Sequence, residues 1–215
     1  ITVNGNWKNE RENVLSFENP CLDVDDRKLG KEVVNNKRLT EKKIFCFVGA
    51  LNRHKGVHLI LEALNSVDKN EDFEFHFVGD SSEREEYEQV AKQTKIKTIF
   101  HGFLTKKEIN KIYINSHFIM LPSKSEGFPK VIAEAMNYGC YPIVSNVSCL
   151  DQYIESGKNG LLLNTLSVEE IVNAINISEE LGEKDYKESI IFNFELAKKF
   201  TYSYYNKRLK NEILI

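Results

Sequence analysis

Apolar residues along this chain come in short solid runs, separated by longer stretches in which they recur every three or four positions. The runs at 44–50 (IFCFVGA), 73–79 (FEFHFVG), 97–102 (KTIFHG), 117–122 (HFIMLP), 141–146 (YPIVSN) and 160–164 (GLLLN) have the length of strands. The stretches at 58–67, 81–93, 107–115, the segment after Pro129, and 167–177 carry helical spacing. Strands that are largely apolar on both faces and alternate with helices predict a parallel sheet covered on both sides. The expected fold class is therefore α/β, a doubly wound parallel sheet of about six strands. Its ligands are expected beyond the carboxyl ends of the strands, where strand order reverses. Residues 1–40 are polar and irregular, with one apolar run at Val14–Phe17 and a break at Asn19-Pro20, and read as a linker or the margin of another domain. Residues 41–182 form the predicted α/β domain, and 183–215, rich in Phe, Tyr and Lys, read as one or two closing helices.

Two strand ends carry candidate chemistry. The first strand ends at Gly49 and runs into Ala50-Leu51-Asn52-Arg53-His54-Lys55-Gly56 just before a helix. Two cations near a helix N-terminus suit a diphosphate, because the helix end supplies oriented N–H groups and Arg can bind two oxygens at once. Solvated loop charges are the plainer alternative for both cations. The strand at 117–122 leads into Ser125-Glu126-Gly127-Phe128-Pro129, with Pro129 expected in the first turn of the next helix. At about 100° per residue, Glu134 falls beside the apolar arc of that helix, next to Lys130, where a carboxylate faces either water or a cleft. Glu126 and the amides of Gly127 and Phe128 suit a polyol, whose hydroxyls both donate and accept. Glu134 suits a second diol. The plainer alternatives are a pair with Lys130 for Glu134 and a helix-capping role for Glu126.

Composition narrows the classes. With 215 residues and 41% apolar content, the chain can bury a substantial core. A net charge of −3 argues against a nucleic-acid surface. The longest apolar runs reach about a third of a membrane span, so no transmembrane segment is expected. No signal peptide is expected from the opening residues, and Cys21, Cys46, Cys140 and Cys149 form no C-x-x-C pair, which leads to the expectation of reduced thiols in a cytoplasmic protein.

The motifs FVGALNRHKG (47–56), FVGDS (77–81), FHGFL (100–104), PSKSEGFPKVIAEAM (122–136), GCYPIV (139–144) and GKNGLLL (157–163) resemble, in order and spacing, the nucleotide-sugar-binding half of GT-B-fold glycosyltransferases. The resemblance is to the large retaining family 4, or group 1, and its most specific element is E-x7-E. It implies a Rossmann-like C-terminal half. In that half Lys55 and Arg53 hold the donor diphosphate beside Gly49, and Glu126 binds the transferred sugar. The Gly127 and Phe128 amides lie against sugar and phosphate, Glu134 takes the ribose diol, and the backbone at Gly102-Phe103 meets the base. Catalytic roles fall to Glu126, Lys55 and Arg53. The family's chemistry implies retaining transfer from a nucleotide-diphosphate sugar with no metal and no other cofactor. The acceptor, a glycan or lipid-linked saccharide, would be met through an N-terminal domain that these residues do not supply. The chain is accordingly expected to be a C-terminal portion that transfers nothing alone, and to act in the cytoplasm or at the inner membrane face. A nucleotide-sugar epimerase and a non-catalytic nucleotide-binding module are the alternatives on the same fold.

Some positions depart from the family's habit. Ala50 stands where many relatives carry arginine, Ser81 where a glycine is usual, and Ser148-Cys149 where paired glycines are common; Gln152 replaces a frequent glutamate. Asp23-Val24-Asp25 spells a metal-binding D-x-D but reads better as a solvated acidic cluster, because it lies outside any strand end. His54 and His58 have metal-compatible spacing without a third ligand, and His54 reads as loop surface. Trp7 and the tyrosines at 202–205 are expected to form an aromatic patch facing the other half.

Overall fold

The computed structural model describes residues 2–3, 5–7, 14–67 and 72–214. Short strands β1 (Thr2–Val3) and β2 (Leu15–Ser16) pair in parallel. Helix α1 (Val24–Asn36) follows. The core is then built by β3 (Lys43–Val48), α2 (Val57–Ser66), β4 (Phe73–Val78), α3 (Arg84–Ala91), β5 (Lys97–Phe100), α4 (Lys106–Asn115), β6 (Phe118–Leu121), α5 (Lys130–Asn137), β7 (Tyr141–Ser145), β8 (Leu161–Leu163) and α6 (Val168–Glu180). Helices α7 (Glu183–Ala197) and α8 (Tyr202–Glu212) close the chain.

The central sheet is parallel, with strand order β5-β4-β3-β6-β7-β8. The chain therefore winds outward from β3 to β5, then crosses back through α4 to place β6 on the other flank of β3. The reversal falls between β3 and β6, and the loops leaving these two strands face one crevice. Aromatic rings fix the sheet interior: Phe45 stacks on Phe118 at 4.7 Å and Phe75 on Phe77 at 4.7 Å. Each such pair adds about 1 kcal/mol beyond its area burial.

The stretch before β3 is not irregular throughout, since α1 occupies 24–36. Its start is a capping box: the Asp23 carboxylate accepts from the Asp26 amide at 2.8 Å, and the Asp26 carboxylate accepts from the Asp23 amide at 3.0 Å. Asp23 is thus a helix cap rather than one of a loose acidic cluster. The inward face of α1 is Asp26, Gly30 and Val34, which is why no apolar stripe announced the helix. Helix α1 packs on α5 and α7, so the tail from 183 builds on the same body as the sheet. Residues 21–22 also bond to Phe200, and Tyr202 donates to the Leu22 carbonyl. Tyr205 packs edge-on against Phe17 at 5.6 Å, whereas Tyr202 and Trp7 are exposed. Among the described residues no helix is long and apolar enough to cross a membrane.

Candidate functional site

The crevice between β3 and β6 is closed at its base by contacts that only glycine permits. Gly56 has φ +77°, and a Cβ there would lie 2.2 Å from the Pro122 carbonyl. The bare backbone lets the turn after β3 press directly on the end of β6. Gly79, with φ +128°, does the same for the turn after β4: a Cβ would lie 1.9 Å from the Gly49 carbonyl. The Gly49 amide donates to Val78, and the Gly79 amide to Gly102, so the ends of β3, β4 and β5 are tied in a row.

Across the crevice the two loops are bonded residue by residue. The Lys124 amide donates to the His54 carbonyl at 2.9 Å, and His54 Nε2 shares a hydrogen bond with Ser125 Oγ at 3.0 Å. Lys55 Nζ donates to the Glu126 carboxylate in a partly buried ion pair. His54 is thus exposed yet a tie between loops, and Lys55 is more than a solvated charge. Arg53 is exposed in the 3-10 turn 53–55; its carbonyl accepts from the Gly56 amide at 3.1 Å, but its guanidinium makes no hydrogen bond to a described residue. Its charge still acts on His58, whose pKa is lowered by burial first and by Arg53 second. Asn52 caps that turn by accepting from the Lys55 amide at 3.0 Å.

Helix α5 begins at Lys130, so Pro129 is its cap residue (ψ 120°) rather than a member of the first turn. The proline ring restricts its own φ and supplies no capping side chain; the Ile132 amide donates to the Pro129 carbonyl at 3.0 Å, and the amides of Lys130 and Val131 find no acceptor among the described residues. No described residue accepts from the amides of Gly127 and Phe128. The Phe128 side chain itself is core: it stacks on Phe200 at 4.3 Å and meets Tyr153 edge-on at 4.7 Å. Burying that ring holds Glu126 and Gly127 over the crevice. Ser123 Oγ, directly below this loop in sequence, is buried without a partner.

Glu134 turns neither to water nor to Lys130. It is half-buried and accepts from Tyr113 Oη of α4 at 3.3 Å. Burial raises its carboxyl pKa above the ordinary glutamate value, while the Tyr113 hydrogen bond and the charge of Lys106 pull the other way. Lys106, the first residue of α4, is anchored by Asp26 and Asp23 of the α1 cap. The two glutamates of the E-x7-E element thus have separate partners, Lys55 for Glu126 at the β3–β6 reversal and Tyr113, in the last turn of α4, for Glu134. Tyr113, which bonds to Glu134, and Lys106 and Asp26, whose charges act on it, escaped notice in the sequence because each stands on a distant element. The loop before α4 holds Gly102, at φ +67°, and Phe103, which is 83% exposed.

The unusual positions also find structural reasons. Ser81 Oγ donates to the Leu51 carbonyl and accepts from the Glu83 amide at 3.0 Å, ties that a glycine cannot make. Ser148 takes the left-handed φ of +57° that glycine would occupy without cost. Gln152 clamps the Asn6 backbone from both sides, accepting from its N–H at 2.7 Å and donating to its carbonyl at 2.9 Å. A glutamate could make only the first of these bonds. Ala50 is exposed, and nothing in the structure explains its replacing an arginine.

Residues 31–191 match the family described as "Glycosyl transferases group 1". The chain belongs to this family. Among curated relatives, an uncharacterised glycosyltransferase of Haemophilus influenzae is 28% identical over 167 residues, covering 77% of this chain and 45% of its own length. An alpha-1,4-N-acetyl-D-galactosaminyltransferase of Campylobacter jejuni is 25% identical over 178 residues, covering 81% of this chain and 47% of its own length. The chain spans less than half the length of the curated relatives it matches. Among solved structures, Anabaena HepE in complex with UDP-glucose superposes with a TM-score of 0.74 at 20% identity, covering 94% of this chain and 57% of that one. The C-terminal domain of the group 1 family protein LpcC from Francisella tularensis superposes with a TM-score of 0.66 at 22% identity, covering 86% of this chain and 96% of that domain. These superpositions establish the GT-B-type α/β fold.

Proposed function

We propose that this chain is the donor-binding half of a glycosyltransferase, holding a nucleotide-diphosphate sugar for retaining transfer to a glycan or lipid-linked acceptor. The observation that carries the reading is the Lys55–Glu126 pair at the strand-order reversal. A cation and a carboxylate held together there have separate uses once a donor enters. Lys55 exchanges the carboxylate for a phosphate oxygen, and Glu126 is released to accept from sugar hydroxyls. Opening a partly exposed ion pair costs only about 1 kcal/mol, which two charge-assisted hydrogen bonds to the donor exceed. Arg53 lies on the same turn to meet the diphosphate, and the free amides of Lys130 and Val131 at the start of α5 add positive potential as the leaving group gains charge. In this reading Glu134, held by Tyr113, takes the ribose diol. HepE, of like fold, was solved in complex with UDP-glucose, which supports a nucleotide-sugar donor.

In the transfer, the bond from the anomeric carbon to the diphosphate breaks and the acceptor oxygen bonds to that carbon on the same face. The acceptor's proton passes to the departing phosphate oxygen. Lys55 and Arg53 meet the charge without a metal ion, and the acceptor is held by a second half of the enzyme. Calorimetry with UDP, GDP and their sugars tests the donor assignment. Glu134→Ala weakens every ligand, whereas Glu126→Ala weakens only those that carry a sugar. Unchanged affinity in both variants would leave the reading without support and favour a bare scaffold.

A further inference from the structure

The loop that carries Glu126 has an anchor outside the crevice. From Glu126 to Phe128 the backbone makes no hydrogen bond to a described residue. On its amino side the loop is tied by Lys124, whose amide reaches the His54 carbonyl at 2.9 Å. On its carboxyl side the tie is a ring. Phe128 stacks 4.3 Å from Phe200 at 18° and lies 4.7 Å edge-on from Tyr153, and Tyr153 lies 5.5 Å from Phe200, so three aromatic side chains close on one another. Phe200 is fully buried in this cluster.

Phe200 is itself clasped by backbone. Its carbonyl accepts from the amides of Cys21 at 2.9 Å and Leu22 at 3.1 Å, and the Tyr202 amide donates to the Leu22 carbonyl at 3.0 Å. Cys21 also reaches α5 directly, its Sγ lying 3.8 Å from the Lys130 carbonyl. Beyond the clasp, Arg208 of α8 bonds to Glu18 at 3.1 Å and lies 4.2 Å over the Phe17 ring. While Lys55 holds Glu126, the ion pair fixes the carboxylate. Once Lys55 has turned to a diphosphate, Glu126 is held only through the backbone on either side of it. Lys124 then fixes the residue two positions before, and Phe128 the residue two positions after. A carboxylate that accepts from sugar hydroxyls has to stay within about 0.5 Å of its bonding position.

We propose that Phe200 is a positioning residue for recognition of the donor's sugar: stacked on Phe128 and clasped by Cys21 and Leu22, it sets where Glu126 stands when Lys55 has left it. The inference rests on the donor reading above. It makes affinity for the sugar depend on a contact that no ligand touches. The diphosphate is insulated from that contact, because Lys55 and Arg53 hang on the other loop and Lys130 keeps its own tie to Cys21.

The test uses the 215-residue chain. Calorimetry compares UDP with UDP-glucose and UDP-N-acetylglucosamine, and GDP with GDP-mannose. Phe200→Leu is expected to weaken the nucleotide sugar that binds by about tenfold, the effect of one charge-assisted hydrogen bond, and to change the free diphosphate by less than about twofold. In a Glu126→Ala background the same substitution is expected to change no ligand, because the residue it positions is gone. Phe75→Leu, which removes another buried ring from the sheet core, serves as the control for a purely structural loss and leaves every affinity unchanged. Should Phe200→Leu not fold, Phe200→Met keeps the bulk without the ring plane and takes its place. An equal effect of Phe200→Leu on UDP and on its sugars, or an effect that persists without Glu126, overturns the proposal. If Phe200→Leu changes nothing while Glu126→Ala still weakens a nucleotide sugar, the donor reading survives and only the positioning role fails. If Glu126→Ala weakens no nucleotide sugar, both fall together.

Discussion

Lowering the pH from 7.5 to 5.0 should remove about 2 kcal/mol of folding stability through His117 alone. The ring is 5% exposed. Its Nδ1 accepts from the Ile44 amide at 3.0 Å, and its Nε2 faces Thr40 Oγ1 at 3.4 Å. Thr40 Oγ1 already donates to the Lys42 carbonyl, so it accepts from Nε2, and the neutral ring is saturated. A second proton on Nδ1 would break the bond to Ile44 where β3 begins. Burial first, and the charges of Lys37 and Lys43 next, lower the pKa from 6.5 to about 4. The unfolded chain takes up the proton near pH 6.5 while the folded chain refuses it, so stability falls as pH drops and the loss is complete below about pH 4. At 1.36 kcal/mol per pH unit the full effect is roughly 3 kcal/mol, of which about 2 appears by pH 5.0. Urea unfolding of the parent chain and of His117→Asn at both pH values isolates this contribution, because every other titrating group is common to the two. The asparagine oxygen can still take the Ile44 N–H but does not titrate. If both chains lose the same stability within about 0.5 kcal/mol, the account of His117 is wrong.

Gly79→Ala should cost about 3 kcal/mol or more in urea unfolding, since its Cβ would meet the Gly49 carbonyl at 1.9 Å in a backbone conformation that alanine avoids; a cost under about 1 kcal/mol would show that the turn relaxes freely. Phe128→Ala should lose about 3–5 kcal/mol of stability, and Phe128→Leu less than about 1.5 kcal/mol, by calorimetric melting. Lys55→Met should weaken UDP and UDP-sugars about tenfold while leaving uridine binding unchanged; an equal effect on uridine would place the lysine away from the diphosphate. Excess EDTA should leave UDP affinity untouched, and a dependence on added divalent cation would contradict charge neutralisation by side chains alone.

The order of the sheet elements was legible along the chain because it rests on local periodicity. Solid apolar runs make strands buried on both faces, and recurrence every three or four residues makes the covering helices, whatever lies elsewhere in the molecule. The E-x7-E element was legible for the same reason: a carboxylate before a Gly-Phe-Pro corner and another in the following helix are local statements. Helix α1 was hidden because its inward face is Asp26, Gly30 and Val34, a surface shaped by close packing rather than by oil. Pairing was a different matter. Lys55 and Glu126 stand 71 positions apart, and Tyr113 and Glu134 stand 21 apart on separate helices. Phe128 meets Phe200 only through the packing of distant segments. Such contacts depend on which flank of β3 receives β6 and on how α4 crosses back. Hydrophobic spacing carries no information about that choice, so only the folded chain decides which charges meet and which rings stack.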